Sequence, residues 1–211
     1  MRKFEIKNNT IDQNTSCYII AEIGHNHQGN LEQCIKIIDE ASKCGVSAVK
    51  LQKRNNKKLF TKVFYEQEYN SENAFGNTYG EHRENLEFKK EDFLKIKNYC
   101  KEKKIDFICT AFDKESLDFL VDINIDAVKF ASADLTNTPL LEYGASKKIP
   151  LIISTGGASK LDIDRALSKI NKYHNNISIL QCTALYPCDS SFLNLKTIEF
   201  YMDEYKLNTI G

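Results

Sequence analysis

Residues 127–170 read AVKFASADLTNTPLLEYGASKKIPLIISTGGASKLDIDRALSKI. Two short apolar runs, Ala127-Val-Lys-Phe130 and Leu151-Ile-Ile153, have the length and β-branched or aromatic character of strands buried on both faces. Between and after them lie helical patterns. Asn137 or Thr138 caps the first, with Pro139 in its first turn, and Ser159 caps a second over Lys160–Tyr173 with Ile163, Ala166, Leu167 and Ile170 inward. A strand, a helix, a strand and a helix within about 45 residues mean parallel βα units with right-handed crossovers.

The alternation extends in both directions. Cys17–Ala21, Ala48–Leu51, Asp106–Cys109, Ile177–Leu180 and Leu207–Ile210 are further strand runs. Helical faces recur at Leu31–Cys44 (N-cap Asn30, stop at Gly45), Glu91–Lys103, around Leu117–Val121, and Leu195–Tyr205. Most units take about 20 to 30 residues, the spacing of a (β/α)8 barrel of roughly 250 residues. The reading is therefore one incomplete TIM-barrel domain over residues 1–211, truncated at about strand seven. The first sixteen residues are expected to form a hairpin at the barrel bottom. Asn55–Glu87 has no clear period and is expected to be an active-site loop after the second strand.

With 29 Lys+Arg against 29 Asp+Glu the formal net charge is +0, which leaves no electrostatic footprint for nucleic acid or an anionic membrane. No apolar run approaches the roughly 20 residues of a membrane helix, and the opening residues lack a signal-peptide core. The seven cysteines form no CxxC pair and are expected to be reduced, mostly buried thiols of a cytoplasmic protein.

Ligands of parallel α/β proteins bind beyond the carboxyl ends of the strands, so the residues delivered there carry the functional reading. Lys50 and Lys129 lie inside apolar runs, where an ammonium needs anionic company. With the hydroxyls of Thr110, Ser132 and Ser154, and backbone amides of Thr155-Gly-Gly157, they are expected to form a pocket for a small polyanion. Glu22 and Asp134 supply carboxylates at the mouth, for acid–base work or as ion-pair partners of the lysines. His25 and His27 fit either metal ligands or hydrogen-bonded loop caps; the latter is the expectation.

Six blocks, Ala21-Glu-Ile-Gly-His-Asn-His-Gln-Gly29, Ala48-Val-Lys-Leu-Gln52, Ile108-Cys-Thr-Ala-Phe112, Val128-Lys-Phe-Ala-Ser-Ala-Asp134, Ile153-Ser-Thr-Gly156 and Cys182-Thr-Ala-Leu-Tyr-Pro187, resemble in order and spacing the sialic acid synthases. These are the N-acetylneuraminate, legionaminate and pseudaminate synthases of bacteria. The resemblance implies a (β/α)8 transferase that condenses phosphoenolpyruvate with an open-chain N-acetylated amino sugar, giving a nine-carbon 2-keto acid and phosphate by C–O cleavage. It implies Lys50, Thr110, Lys129, Ser132 and Ser154 as phosphoenolpyruvate ligands, Glu22 as the catalytic acid, and Gln52, Asn73, Asp134 and Tyr186 as sugar contacts. It also implies a divalent metal, Mn²⁺ or Mg²⁺, held by His residues beyond Gly211, and a homodimer with a C-terminal antifreeze-like (SAF) domain. The fragment alone is expected to be inactive. Asp134 and Ala184 stand where many members have Glu and Asn. Two rival readings are a Schiff-base aldolase using Lys129 or Lys50, and a non-catalytic sugar- or phosphate-binding barrel fragment.

Overall fold

The computed structural model describes residues 2–211. In chain order it contains β1 (Phe4–Ile6), β2 (Asn9–Ile11), β3 (Ile20–Gly24), α1 (Leu31–Lys43), β4 (Ala48–Lys53), α2 (Asn56–Leu59), α3 (Lys62–Glu66), α4 (Tyr79–Asn85), α5 (Lys90–Glu102), β5 (Asp106–Ala111), α6 (Lys114–Asp122) and β6 (Ala127–Phe130). There follow α7 (Thr138–Ser146), β7 (Leu151–Ser154), α8 (Lys160–Ile170), β8 (Ile177–Leu180), α9 (Lys196–Glu204) and β9 (Thr209–Ile210). The chain divides into two compact units, residues 18–125 and residues 1–17 with 126–211.

In the first unit β3, β4 and β5 are parallel neighbours, with Glu22 beside Lys50 and Gln52 beside Thr110. All six residues of β5 are buried, as expected of a strand covered on both faces. Phe93 and Ile96 of α5 and Leu117 and Leu120 of α6 are buried, and Phe93 packs near Phe107 of β5. Asn30 caps α1, accepting from the Gln33 amide, and Asp113 caps α6, accepting from Ser116.

In the second unit β6 to β9 follow one another as parallel neighbours. The expected caps are in place: Asn137 before α7, with Pro139 in its first turn, and Ser159 before α8 in a reciprocal pair with Asp162. The expected hairpin is β1–β2. It sits at the amino ends of this unit's strands: Asn176, just before β8, exchanges two hydrogen bonds of 2.8 Å with the Glu5 backbone, and Lys7 pairs with Asp126, just before β6.

Three expectations need correction. The first parallel strand runs over Ile20–Gly24, not Cys17–Ala21. Ile19 is half-exposed, and pairing begins at Ile20 opposite Ala48; the strand continues through Glu22 because that side chain faces Lys50. Asn55–Glu87 is not an irregular loop, since it holds α2, α3 and α4, with Thr78 and Glu81 forming a capping box and Phe60, Phe64, Tyr69 and Tyr79 packed ring to ring. Helices of four to seven residues are too short to display a 3.6-residue period. Of the seven cysteines, all free, only Cys34, Cys100 and Cys109 are buried. Among the described residues no helix is long and apolar enough to cross a membrane. Seven parallel strands are described, three in one unit and four in the other; closure by an eighth is not seen among them.

Candidate active site

Four of the residues expected from the sequence meet in the first unit. The Lys50 side chain is 8% exposed and forms an ion pair with Glu22 Oε2, while its Nζ donates to Thr110 Oγ1 at 3.0 Å. Gln52 Nε2 donates to the other Glu22 oxygen, Oε1, at 3.2 Å. The Glu22 side chain remains 45% exposed. A buried cation of β4 is thus paired with a carboxylate of β3 that solvent reaches. The backbone permits it at Gly24, where φ is +58° and a Cβ would stand 3.2 Å from Glu22 Oε1.

Behind these groups lies a second layer that sequence reasoning missed. Arg54, two residues beyond Gln52, donates from Nη2 to Gln52 Oε1 at 2.6 Å and stacks 3.7 Å above Phe112. Lys53, whose side chain alternates to the opposite face, pairs with Glu87 at 2.7 Å with both side chains mostly buried. Burial alone would raise the Glu87 carboxyl, but the neighbouring His25 ring and the Lys53 ammonium, bonded at 2.7 Å, hold it below the usual carboxylate range. The alternation of Lys50, Gln52 and Arg54 along one strand was the legible signal for Arg54; nothing local in the sequence marked Glu87.

His27 is buried, stacked 4.1 Å from the Phe88 ring, and its Nδ1 accepts from the Gly29 amide at 3.1 Å. Burial, aided by neighbouring His25, lowers its pKa to about 4. His25 lies 3.4 Å from Arg54 Nη1 and 3.6 Å from Glu87, and burial lowers its pKa too. The His27 ring bonds the loop backbone, as expected of a loop cap, whereas the His25 ring faces Arg54 and Glu87. Among the described residues no group of three or more His, Cys, Asp or Glu is placed to hold a metal ion. With Glu22 engaged by Lys50 and Gln52, these side chains do not by themselves fit a divalent cation.

The second unit carries the other expected residues except Asn73, which lies in the first. Lys129 is half-buried on β6, its Nζ 3.4 Å from the Phe130 carbonyl. Ser132 and Asp134 occupy the 3₁₀ turn that follows, and Ser154, almost fully buried, ends β7. Ser132 Oγ accepts the Gly156 N–H at 3.0 Å. A Cβ at Gly156 would lie 2.9 Å from that oxygen and 3.0 Å from the Cys182 carbonyl, so only glycine fits there. The expected amide donors are largely engaged: Thr155 N–H bonds the Leu180 carbonyl and Gly156 N–H bonds Ser132. Thr155 Oγ1 also donates to Leu180 O and accepts from Tyr201 OH at 3.1 Å. The sugar contacts expected at Asn73 and Tyr186 are exposed, Tyr186 at 89%.

Parallel βα units in which a strand lysine is buried between a carboxylate and a hydroxyl of its neighbours define an α/β protein with a charged polar cluster among its parallel strands. The NeuB family model matches residues 37–211, and the chain belongs to the NeuB family, the relationship expected from the six blocks. It is 39% identical over 197 residues to the N-acetylneuraminate-9-phosphate synthase of Drosophila melanogaster, covering 93% of this chain and 53% of that protein. It is 34% identical over 198 residues to the N,N'-diacetyllegionaminic acid synthase of Legionella pneumophila, covering 91% and 56%. Its fold matches, with a TM-score of 0.86 and 31% identity, the N-acetylneuraminic acid (sialic acid) synthetase of Leptospira borgpetersenii serovar Hardjo-bovis in complex with citrate, over all of this chain and 69% of that one. The chain spans about half the length of the curated relatives it matches.

Proposed function

We propose that this chain is part of a (β/α)8 synthase that condenses phosphoenolpyruvate with an N-acetylated amino sugar to give a nonulosonic 2-keto acid and inorganic phosphate. The observation that carries this reading is Lys50, a buried ammonium within β4 held between Glu22 and Thr110. Phosphoenolpyruvate is a small polyanion, and such a cation is stabilised by the charge it binds. Lys50, Thr110, Lys129, Ser132 and Ser154, the set that the resemblance implies, are its proposed ligands. Glu22, half-exposed and hydrogen-bonded by Gln52, is the proposed acid for the sugar's reacting oxygen. Gln52, Asn73, Asp134 and Tyr186 are the proposed sugar contacts.

In the reaction C3 of phosphoenolpyruvate attacks the sugar aldehyde. Water adds at C2, and phosphate leaves from the tetrahedral intermediate with its charge met by the lysines. A divalent metal, Mn²⁺ or Mg²⁺, would polarise the aldehyde in the complete enzyme; its ligands would come from outside this chain. A homodimer and a cytoplasmic location belong to the same proposal. The names of the relatives bear on the sugar: phosphoenolpyruvate supplies three carbons, so a 9-phosphate product derives from a six-carbon sugar 6-phosphate.

The test uses the full-length protein with manganese, phosphoenolpyruvate and either N-acetylmannosamine, its 6-phosphate or a diacetamido-dideoxy relative. Phosphate release that depends on one of these sugars is expected. The Schiff-base alternative at Lys129 or Lys50 predicts instead a covalent lysine adduct with pyruvate after borohydride reduction. Mass spectrometry that finds this adduct, with no sugar-dependent phosphate release, would replace the proposal.

A further inference from the structure

A glutamine amide is ambiguous by itself, because its oxygen accepts and its NH₂ donates from nearly the same volume. At Gln52 both ends face groups of single polarity. The Arg54 guanidinium, which only donates, contacts Oε1 at 2.6 Å. The Glu22 carboxylate, which accepts, receives Nε2 at 3.2 Å. The guanidinium is itself fixed by the Phe112 ring, 3.7 Å below its plane, and by His25 Nε2 at 3.4 Å from Nη1. A continuous chain therefore runs from Phe112 through Arg54, Gln52 and Glu22 to Lys50 and Thr110. Lys50, Gln52 and Arg54 join it because alternate residues of an extended strand share a face.

We infer that Arg54 is a positioning residue: by holding the Gln52 carbonyl it fixes the Gln52 amide as a hydrogen-bond donor toward Glu22, and so sets the geometry of the Glu22–Lys50 pair. The consequence for catalysis rests on the synthase reading above; the orientation of Gln52 does not. With Oε1 committed to Arg54 and one N–H to Glu22, Gln52 has a second N–H to offer. A substrate group meeting it must be an acceptor, such as a hydroxyl or carbonyl oxygen. Lysine at position 54 would retain a donor but lose the planar fork and the ring stack that immobilise it.

Two readouts on the full-length protein separate the inference from the function. In the first, Arg54→Leu, Gln52→Leu and the double variant are compared by kcat/KM for sugar-dependent phosphate release. Each single change is expected to cost about tenfold or more, and the double variant to fall within about twofold of Gln52→Leu, since residues acting through one another are not additive. Arg54→Lys is expected to lie between wild type and Arg54→Leu. In the second, ¹⁵N-glutamine labelling follows the Gln52 side-chain amide, assigned by its loss in Gln52→Leu. Its donated proton is expected to exchange slowly in wild type, faster in Arg54→Lys and Phe112→Leu, and fastest in Arg54→Leu. Multiplying losses in the double variant, or a Gln52 amide indifferent to Arg54 and Phe112, would overturn the assignment. A wild-type protein without sugar-dependent phosphate release would remove the synthase reading, and the amide measurement would still decide the role of Arg54.

Discussion

Replacing Lys50 by Met keeps most of the buried stem and removes only the charge. The side chain is 8% exposed, so its ammonium would meet the proposed anion with little water between them. Loss of a charge-assisted contact of this kind costs about 1.5–3 kcal/mol. At about 1.4 kcal/mol per decade that is a rise of roughly 10- to 150-fold in the phosphoenolpyruvate dissociation constant. The folded state should lose a comparable amount at most. Glu22 keeps access to solvent, so the ion pair is screened, and the unpartnered Thr110 hydroxyl adds about 1–2 kcal/mol. Isothermal calorimetry of phosphoenolpyruvate binding, with denaturant unfolding in parallel, separates the two effects. An unchanged dissociation constant in a folded Lys50→Met protein would refute the assignment of Lys50 to the anion site.

Lys129→Ala should raise the same dissociation constant at least tenfold, as the partner cation in the proposed ligand set; calorimetry on the variant checks this. Gly156→Ala should destabilise by about 1–3 kcal/mol in urea unfolding, because the new methyl would meet Ser132 Oγ at 2.9 Å and the Cys182 carbonyl at 3.0 Å. Glu87→Leu leaves the mostly buried Lys53 ammonium without its carboxylate and should cost about 3–5 kcal/mol by the same measurement. His27 binds its proton less readily folded than unfolded, with a pKa of about 4 against the ordinary histidine value of about 6.5. Its contribution to stability is therefore complete above pH about 6.5 and lost as pH falls toward about 4, roughly 3 kcal/mol in all. A His27→Gln variant should lose correspondingly less stability than wild type between pH 7 and pH 4.

Much of this was legible in the chain. The runs at 48–51, 127–130, 151–153 and 177–180 announced strands because each is short, apolar and bounded by polar residues, and the observed β4, β6, β7 and β8 cover them. Asn137 and Ser159 announced helix starts through side chains that complete unpaired amides. The lysine at position 50, inside an apolar run, pointed to its acidic and hydroxyl partners, since a buried ammonium requires them. Other features depend on residues far apart in sequence. Glu87 reaches Lys53 only after α2, α3 and α4 fold the chain back, and no local pattern carries that contact. The shift of β3 to include Glu22 is likewise tertiary, because a polar residue extends an apolar run only when a neighbouring strand offers it a partner. In 55–87 the Thr78-x-x-Glu81 cap was readable, but helices of four to seven residues leave no periodic trace.

The central claim is condensation with loss of phosphate through the C–O bond of phosphoenolpyruvate. The most direct test supplies the full-length protein with phosphoenolpyruvate carrying ¹⁸O in the bridging position, together with manganese and the amino sugar, and analyses both products by mass spectrometry. The label is expected in inorganic phosphate and not in the nine-carbon keto acid. Label retained in the organic product, or phosphate released without the sugar, would contradict it.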